Sequence, residues 1–480
     1  MNPYALFMKK IPVALVLLGL FSACGPAPER DRPLGLVVSM VEHPQWSINA
    51  NIYEVNTRQF SPEGTFGAFA GHLDRLQDMG VDILWFMPIQ PIGEKNRKGS
   101  LGSYYSIRDY TAVNPEFGTF DDFKKVVEEA HARGMYVILD WVANHTAWDH
   151  HWTETNPEYY ETDEEGNFFP PIADWSDVIQ LDYGNENLRD AMIAEMRFWV
   201  EEANIDGFRC DVADYVPTDF WVRAREELEE IKPVYMLAEA ENPELHVEAF
   251  EAGYGWRLHH IMNDVAQGRQ TVEAIDEYFF IDDAGGFPIG AYKMYFITNH
   301  DENSWAGTEF DRLGEGVEAF AVLTATVPGT ILLYNGQEAG FDRMLAFFEK
   351  DSIDWNGFEY HDFYKRLLHL KSKNQALWNG EEFGGDMHRV YNDQNDKVFS
   401  FVREKNDDKV FVVLNLSDSH VDASMSGIAF HGKYTELFSG VEFEFSEESM
   451  FSLEPWAYSV YVGENGVGLM EVPPYTGIQE

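Results

Sequence analysis

Three carboxyl side chains each follow closely on a short apolar run: Asp211 after Gly-Phe-Arg-Cys, Glu239 after Val-Tyr-Met-Leu-Ala, and Asp301 after Ile-Thr-Asn-His. A fourth run ends at Asp140 and leads into Asn144 and His145. Arg209 lies two residues before Asp211, so on an extended strand both side chains leave from the same face. A guanidinium there would hold Asp211 ionised by charge attraction and hydrogen bonding, as a nucleophilic carboxylate requires. Glu239 follows an uncharged apolar stretch, a setting expected to raise its pKa and keep a proton available. One ionised and one protonated carboxyl are the equipment of glycoside hydrolysis. Any one of these residues alone reads more simply as a salt bridge; four polar strand ends together favour a shared site.

For residues so far apart in sequence to meet, the runs that precede them must end at one place. Eight strand candidates, at 52–55, 81–87, 135–139, 205–209, 234–238, 258–262, 294–298 and 330–334, read mostly as continuous apolar stretches, as strands covered on both faces do. The run at 258–262 is the least strand-like. Between them the apolar period becomes helical. Phe120, Phe123, Val126, Val127 and Ala130 form one stripe, with Thr119 and Asp122 spaced as a capping box. Leu188, Met192, Met196, Trp199 and Val200 form a second, and Thr218 is placed to cap a third helix bearing Phe220, Trp221, Ala224 and Leu228. The alternation predicts an α/β fold, specifically a (β/α)8 TIM barrel, whose strand ends all open on one mouth. No Gly-x-Gly-x-x-Gly turn follows the first strand, which disfavours a dinucleotide-binding sheet.

The predicted barrel spans 45–375 and is interrupted at 145–185 by a long aromatic-rich insertion; a loop of that length behind a barrel strand is expected to be functional. Short strand-like runs at 398–402, 410–414 and 457–462, separated by turn residues, predict a C-terminal antiparallel β-domain over 383–465, followed by a tail at 466–480. The net charge of −47 argues against nucleic acid and against an anionic membrane surface, but not against a neutral polymer. Lys9 and Lys10 precede an apolar segment at 11–21 and then Phe21, Ser22, Ala23 and Cys24, which reads as a signal peptide (1–23) ending in a lipobox. The expectation is an exported lipoprotein, anchored to a membrane through lipid on Cys24 and a tether at 24–44, periplasmic or at the cell surface and outer-membrane in destination. Cys210 is then the one thiol left, so no internal disulfide can form.

The four polar segments, in this order, resemble the signature regions of the α-amylase family (glycoside hydrolase family 13): Asp140, Asn144 and His145 on the third strand, Gly-Phe-Arg-x-Asp-x-Ala at 207–213, Glu239 ending the fifth, and Asn299, His300 and Asp301 after the seventh. Residues 104–118 resemble the family's second βα loop, and 145–185 a short version of its domain B; the likeness covers about 46–462. The resemblance implies an α-glucan or malto-oligosaccharide substrate and double displacement, with Asp211 as nucleophile, Glu239 as general acid/base and Asp301 as stabiliser of the oxocarbenium-like transition state. It assigns Arg209 to orienting Asp211, His145 and His300 to sugar hydroxyls, Tyr105 to stacking on the reacting ring, and Asp140 and Asn144 to support.

Many members hold a structural calcium through the strand-three Asn, an Asp late in domain B and a His four residues after the nucleophile. Gln180 and Tyr215 stand at the last two positions here. That site is therefore not expected to be kept, and no cofactor is required. Transglycosylation or isomerisation with the same carboxyls stays open, as does glycan binding by an inactive surface lipoprotein, although the intact Asp211, Glu239 and Asp301 argue against the latter. Trp148, Trp152 and Trp305 could stack on sugar rings or pack as a lid. Cys210 is expected to face away from Asp211, and His150, His151 and the acidic run 163–165 to be solvated loop.

Overall fold

Eight short strands pair in parallel and close into a barrel in a computed structural model that describes residues 37–281 and 286–470. The expected signal segment with Cys24, and the last ten residues of the tail, lie outside the described residues. The barrel strands are β1 (Ile52–Val55), β2 (Ile83–Phe86), β3 (Tyr136–Trp141), β4 (Gly207–Cys210), β5 (Tyr235–Ala238), β6 (Ala252–Tyr254), β7 (Tyr292–Tyr295) and β8 (Thr330–Tyr334). Each pairs with its sequence neighbours, and β8 pairs with β1.

Side chains alternate along each strand between two apolar environments. Ile52, Ile83, Trp85, Ile138, Leu237, Tyr254, Met294 and Leu332 fill the barrel interior. Tyr53, Leu84, Phe86, Val137, Leu139, Phe208 and Met236 pack outward among the helices. The alternation puts the polar residues Glu54, Asp140, Arg209 and Asp211 on the inward parity, and sends Cys210 outward into the helix layer, as expected. Gly207 opens β4 at φ 151°, where a Cβ would lie 1.9 Å from the Tyr235 carbonyl oxygen. Only glycine lets β4 approach β5 this closely, which matters because these two strands deliver Asp211 and Glu239.

The run at 258–262 is not a strand. It lies inside a helix, Trp256–Ala266, whose Leu258, Ile261, Met262 and Val265 are buried at helical spacing. The sixth strand is instead Ala252–Tyr254, a three-residue segment too short to show as an apolar run. The helix Phe120–Ala132 begins with both halves of the Thr119–Asp122 capping box, whereas Thr218 starts its helix without capping it: the cap position is Pro217, with no side-chain bond.

Behind β3 the chain forms a two-stranded antiparallel hairpin, His145–Ala147 with Val178–Gln180, in which His145 faces Gln180. Buried tyrosine hydroxyls tie this insertion to the barrel rim: Tyr183 donates to the Ala143 carbonyl at 2.8 Å and Tyr110 to that of His145 at 3.2 Å. The C-terminal part carries a six-stranded antiparallel sheet running from Asp386–Arg389 at one edge to Glu442–Phe445 at the other. One face has its own core, centred on Phe411, Phe451 and Tyr461. Phe399, Phe401, Val410 and Val412 on the other face join the core of the barrel helices.

Candidate active site

Arg209 is the centre of the barrel mouth. Its side chain is fully buried, and its Nη1 donates to Asp140 Oδ1 at 2.8 Å and to Asp211 Oδ1 at 3.1 Å. Nη2 makes an ion pair with Glu239 Oε2 at 2.9 Å, and Nε donates to the Tyr254 hydroxyl at 3.1 Å. One guanidinium thus holds three carboxyls carried by three adjacent strand ends. Asp140 also accepts from Trp85 Nε1 at 3.3 Å and from the Tyr105 hydroxyl at 3.0 Å. Burial pushes the Asp140 carboxyl up to about 6 against the pull of Arg209.

Glu239 does not lie in the apolar setting expected of it. Besides the Arg209 pair, its Oε2 accepts the backbone N–H of Val212 at 2.8 Å. Val212 points that N–H from a left-handed conformation, φ 37° and ψ 51°, which is unfavourable for a β-branched side chain and typical of strain kept at functional sites. Nor does Arg209 suffice to hold Asp211 ionised. Burial and the Glu239 charge together push the Asp211 carboxyl well above the usual carboxylate range. Because part of that push is Glu239's own charge, a proton on Glu239 would relieve it and leave Asp211 free to ionise against Arg209.

Asp301 and His300 stand across from this pair. His300 Nε2 lies 2.7 Å from the Tyr105 hydroxyl and 3.5 Å from Asp301 Oδ2, and its Nδ1 lies 2.5 Å from Glu54 Oε1. The Tyr105 and His300 rings stack at 5.5 Å. Asp140, Arg209, Asp211, Glu239, His300, Asp301 and Tyr105 therefore form one contact network. His145 sits at its margin, against Trp175 at 5.6 Å, and burial lowers it to about 3, so that it is a neutral ring.

The sequence reading missed Glu54, Trp85 and Tyr254. Glu54 had a signal: a lone carboxylate inside the apolar strand Ile-Tyr-Glu-Val. Of the three tryptophans, Trp152 is buried against Tyr110 and Tyr159, and Trp148 donates to the Ser176 carbonyl at 3.0 Å, while Trp305 is 58% exposed. His150 is packed rather than solvated, its ring 5.3 Å from that of Tyr110 and its pKa lowered by burial to about 3.

The residues at the family's calcium position do not fit a cation. Gln180 Nε2 donates to Asn144 Oδ1 at 3.0 Å and to the carbonyls of Asn144 and Leu181 at 3.2 and 3.0 Å. An amide nitrogen thus fills the centre of the oxygen cluster with its own hydrogens. Calcium favours several hard oxygens including carboxylates, and no carboxylate joins this cluster. Tyr215 turns its ring toward Trp175.

Comparison with known proteins finds likenesses over most of the chain. The family description "Alpha amylase, catalytic domain" matches residues 51–177 and 160–408, and "Maltogenic Amylase, C-terminal domain" matches 388–460. The α-amylase MalA of Haloarcula japonica is 27% identical over 83% of this chain, which spans 59% of that longer relative. Among solved structures, the maltogenic α-amylase AmyB of Thermotoga neapolitana is 30% identical with a TM-score of 0.78, covering 86% of this chain and 98% of its own. An α-amylase of Lactobacillus plantarum is 28% identical with a TM-score of 0.78, covering 87% of this chain and 99% of its own.

Proposed function

The chain belongs to the α-amylase family, and on that premise we propose that it is a retaining hydrolase of α-1,4-glucosidic bonds in starch-like glucans or malto-oligosaccharides. The observation that carries this reading is the Arg209 guanidinium, which touches Asp140, Asp211 and Glu239 at once. Asp211 attacks the anomeric carbon as Glu239 gives its proton to the leaving glycosidic oxygen. The glycosyl–Asp211 ester is then opened by water, whose proton Glu239 takes, restoring both carboxyls. Asp301 and His300 hold hydroxyls of the reacting ring while positive charge builds on it, and Tyr105 supports that ring. Relatives named as α-amylases and as a maltogenic α-amylase support an α-1,4-glucan as the substrate.

Asp211→Asn removes the nucleophile and Glu239→Gln the proton donor, each with almost no change of shape. Either should cut kcat on soluble starch by several orders of magnitude at an unchanged melting temperature. Near-normal turnover in purified Asp211→Asn protein would refute the assignment.

We also propose that the protein is exported and held at a membrane by lipid on Cys24, on the strength of Lys9, Lys10, the apolar segment 11–21 and the small residues before the cysteine. Cells expressing the full chain should show it in the membrane fraction and Cys24→Ser in the soluble fraction. Wild type found wholly soluble would contradict the anchor.

A further inference from the structure

Asp211 and Glu239 are fixed by the barrel itself. Each follows the last residue of its strand, and each backbone N–H still bonds across the sheet, Asp211 to the Trp141 carbonyl and Glu239 to that of Cys210, both at 3.0 Å. Asp301 lies further out. Its strand, β7, ends at Tyr295, where the pairing with β8 also stops. Residues 296–300 carry the chain past the ladder, and Asp301 leads directly into a π-helical turn, Glu302–Ala306, a rare conformation frequent at functional sites. A transition-state stabiliser so placed needs another hold, because a displacement of about 1 Å can cost about a hundredfold in rate.

Two buried side chains from two helices supply it. Arg312, on the helix Glu309–Leu313, grips the segment at three points. Its Nη2 donates to the Ile297 carbonyl at 2.9 Å, ahead of Asp301, and its Nε to the Gly307 carbonyl at 3.3 Å, where the π-helical turn ends. Between these, Nη1 pairs with Glu302 Oε2 at 3.7 Å, directly after Asp301. His259, on the helix Trp256–Ala266, adds two more points. Its Nδ1 donates to the Phe296 carbonyl at 3.2 Å, and its Nε2 lies 2.9 Å from Glu302 Oε2. Asn263, one turn along that helix, joins the two grips: its amide oxygen accepts from Arg312 Nη1 at 3.2 Å and its nitrogen lies 3.0 Å from His259 Nε2.

Glu302 is where both grips meet. Burial would raise its carboxyl, yet the bond and charge of His259 and the charge of Arg312 outweigh that and hold it below its ordinary value, so it is a carboxylate at neutral pH. Bonds inside the segment pass the hold on to Asp301. Asn299 Oδ1 accepts the Glu302 N–H at 2.8 Å, and Ser304 Oγ donates to the His300 carbonyl at 2.5 Å. We propose that Glu302, His259 and Arg312 are positioning residues: they form a clamp that takes over where the ladder ends and sets Asp301 against the reacting ring. The effect on rate rests on the hydrolase reading above; the clamp itself does not.

Hydrogen exchange and kinetics test the two separately. Glu302→Ala removes the group that both His259 and Arg312 hold, and should speed amide exchange in a peptide covering 297–305 by about tenfold or more, with the barrel strands unchanged. Glu302→Gln keeps an oxygen for Arg312 and should recover part of the protection. Arg312→Ala and His259→Ala should loosen the same peptide. Unchanged exchange in Glu302→Ala overturns the clamp, whether or not the chain hydrolyses glucan. On p-nitrophenyl maltotrioside, Glu302→Ala should lower kcat about ten- to a hundredfold and move KM less than about threefold. In an Asp301→Asn background the same substitution should cost less than about threefold more, because the group it positions is already gone. A full repeat of the loss in that background, or a loss confined to KM, overturns the positioning role. A clamp that loosens as described in a chain that hydrolyses no glucan overturns the hydrolase reading and leaves the clamp standing.

Discussion

His300 shows how hydrogen-bond inventory decides a charge. The Tyr105 hydroxyl has one hydrogen and gives it to Asp140, so it accepts from His300 Nε2; Nδ1 faces the buried Glu54. With Glu54 ionised, Nδ1 donates as well and the ring is an imidazolium, whose charge in turn pulls down the Glu54 carboxyl that burial raises. Burial alone would lower its pKa, but the Asp301 and Glu54 charges outweigh that and raise it to about 9. A histidine raised above its unfolded value of about 6.5 contributes fully below that pH, and its contribution is lost as pH rises through the folded value. Maltohexaose binding to Glu239→Gln protein, in which the acid/base no longer titrates, should weaken on the alkaline side with a midpoint near 9. Adding Glu54→Gln removes one of the raising charges and should move that midpoint to lower pH. An unmoved midpoint would contradict the Glu54 role. Asp140, Asp211, Glu239 and Asp301 were legible in the sequence because each follows closely on an apolar run, whereas Tyr105 came only with the family resemblance and Glu54 was missed. The charge states were not: the shared guanidinium and the Val212 N–H reach Glu239 only in three dimensions.

Among the elements, β1 and β8 were readable residue for residue, since both are short, mostly apolar and aromatic runs between clear breaks. β6 was not, because Ala-Gly-Tyr has no run to see, while the helix that follows it supplies the apolar residues mistaken for a strand. The insertion behind β3 was visible by its length, but what locks it was not. Gln180 pins His145–Ala147 and Val178–Gln180 to Asn144 and Leu181 with an amide rather than a cation. A chelator should therefore leave melting temperature and activity unchanged. Gln180→Asp would put a carboxylate among the same oxygens and should make melting temperature rise with added calcium. A large chelator-induced loss in wild type, restored by calcium, would contradict the amide lock.

At the scale of the molecule, the barrel is not free-standing. Arg403 of the C-terminal sheet reaches the carbonyls of Thr326 and Trp378 at 3.3 and 3.2 Å, and Phe363 and Phe438 stack at 5.5 Å across the junction. The sheet thus covers helices that would otherwise present apolar faces to water, and it does so with no disulfide among the described residues, Cys210 being buried and free. That closed frame sets the spacing on which the whole account depends. Cys210 pairs with Ala238 in register, and the Glu239 N–H donates to the Cys210 carbonyl at 3.0 Å, so Asp211 and Glu239 leave neighbouring strand ends side by side. Adjacent strands lie about 4.8 Å apart. Carboxyls so placed suit the separation of about 5–5.5 Å of a retaining pair rather than the 6.5–9.5 Å that admits water in an inverting one. Two displacements at one carbon, each inverting it, return the starting configuration. Proton NMR in the first minutes of maltohexaose digestion, before mutarotation, reads the outcome directly. The account predicts the α-anomer first; a β-anomer appearing first would contradict double displacement and the nucleophile role of Asp211 with it.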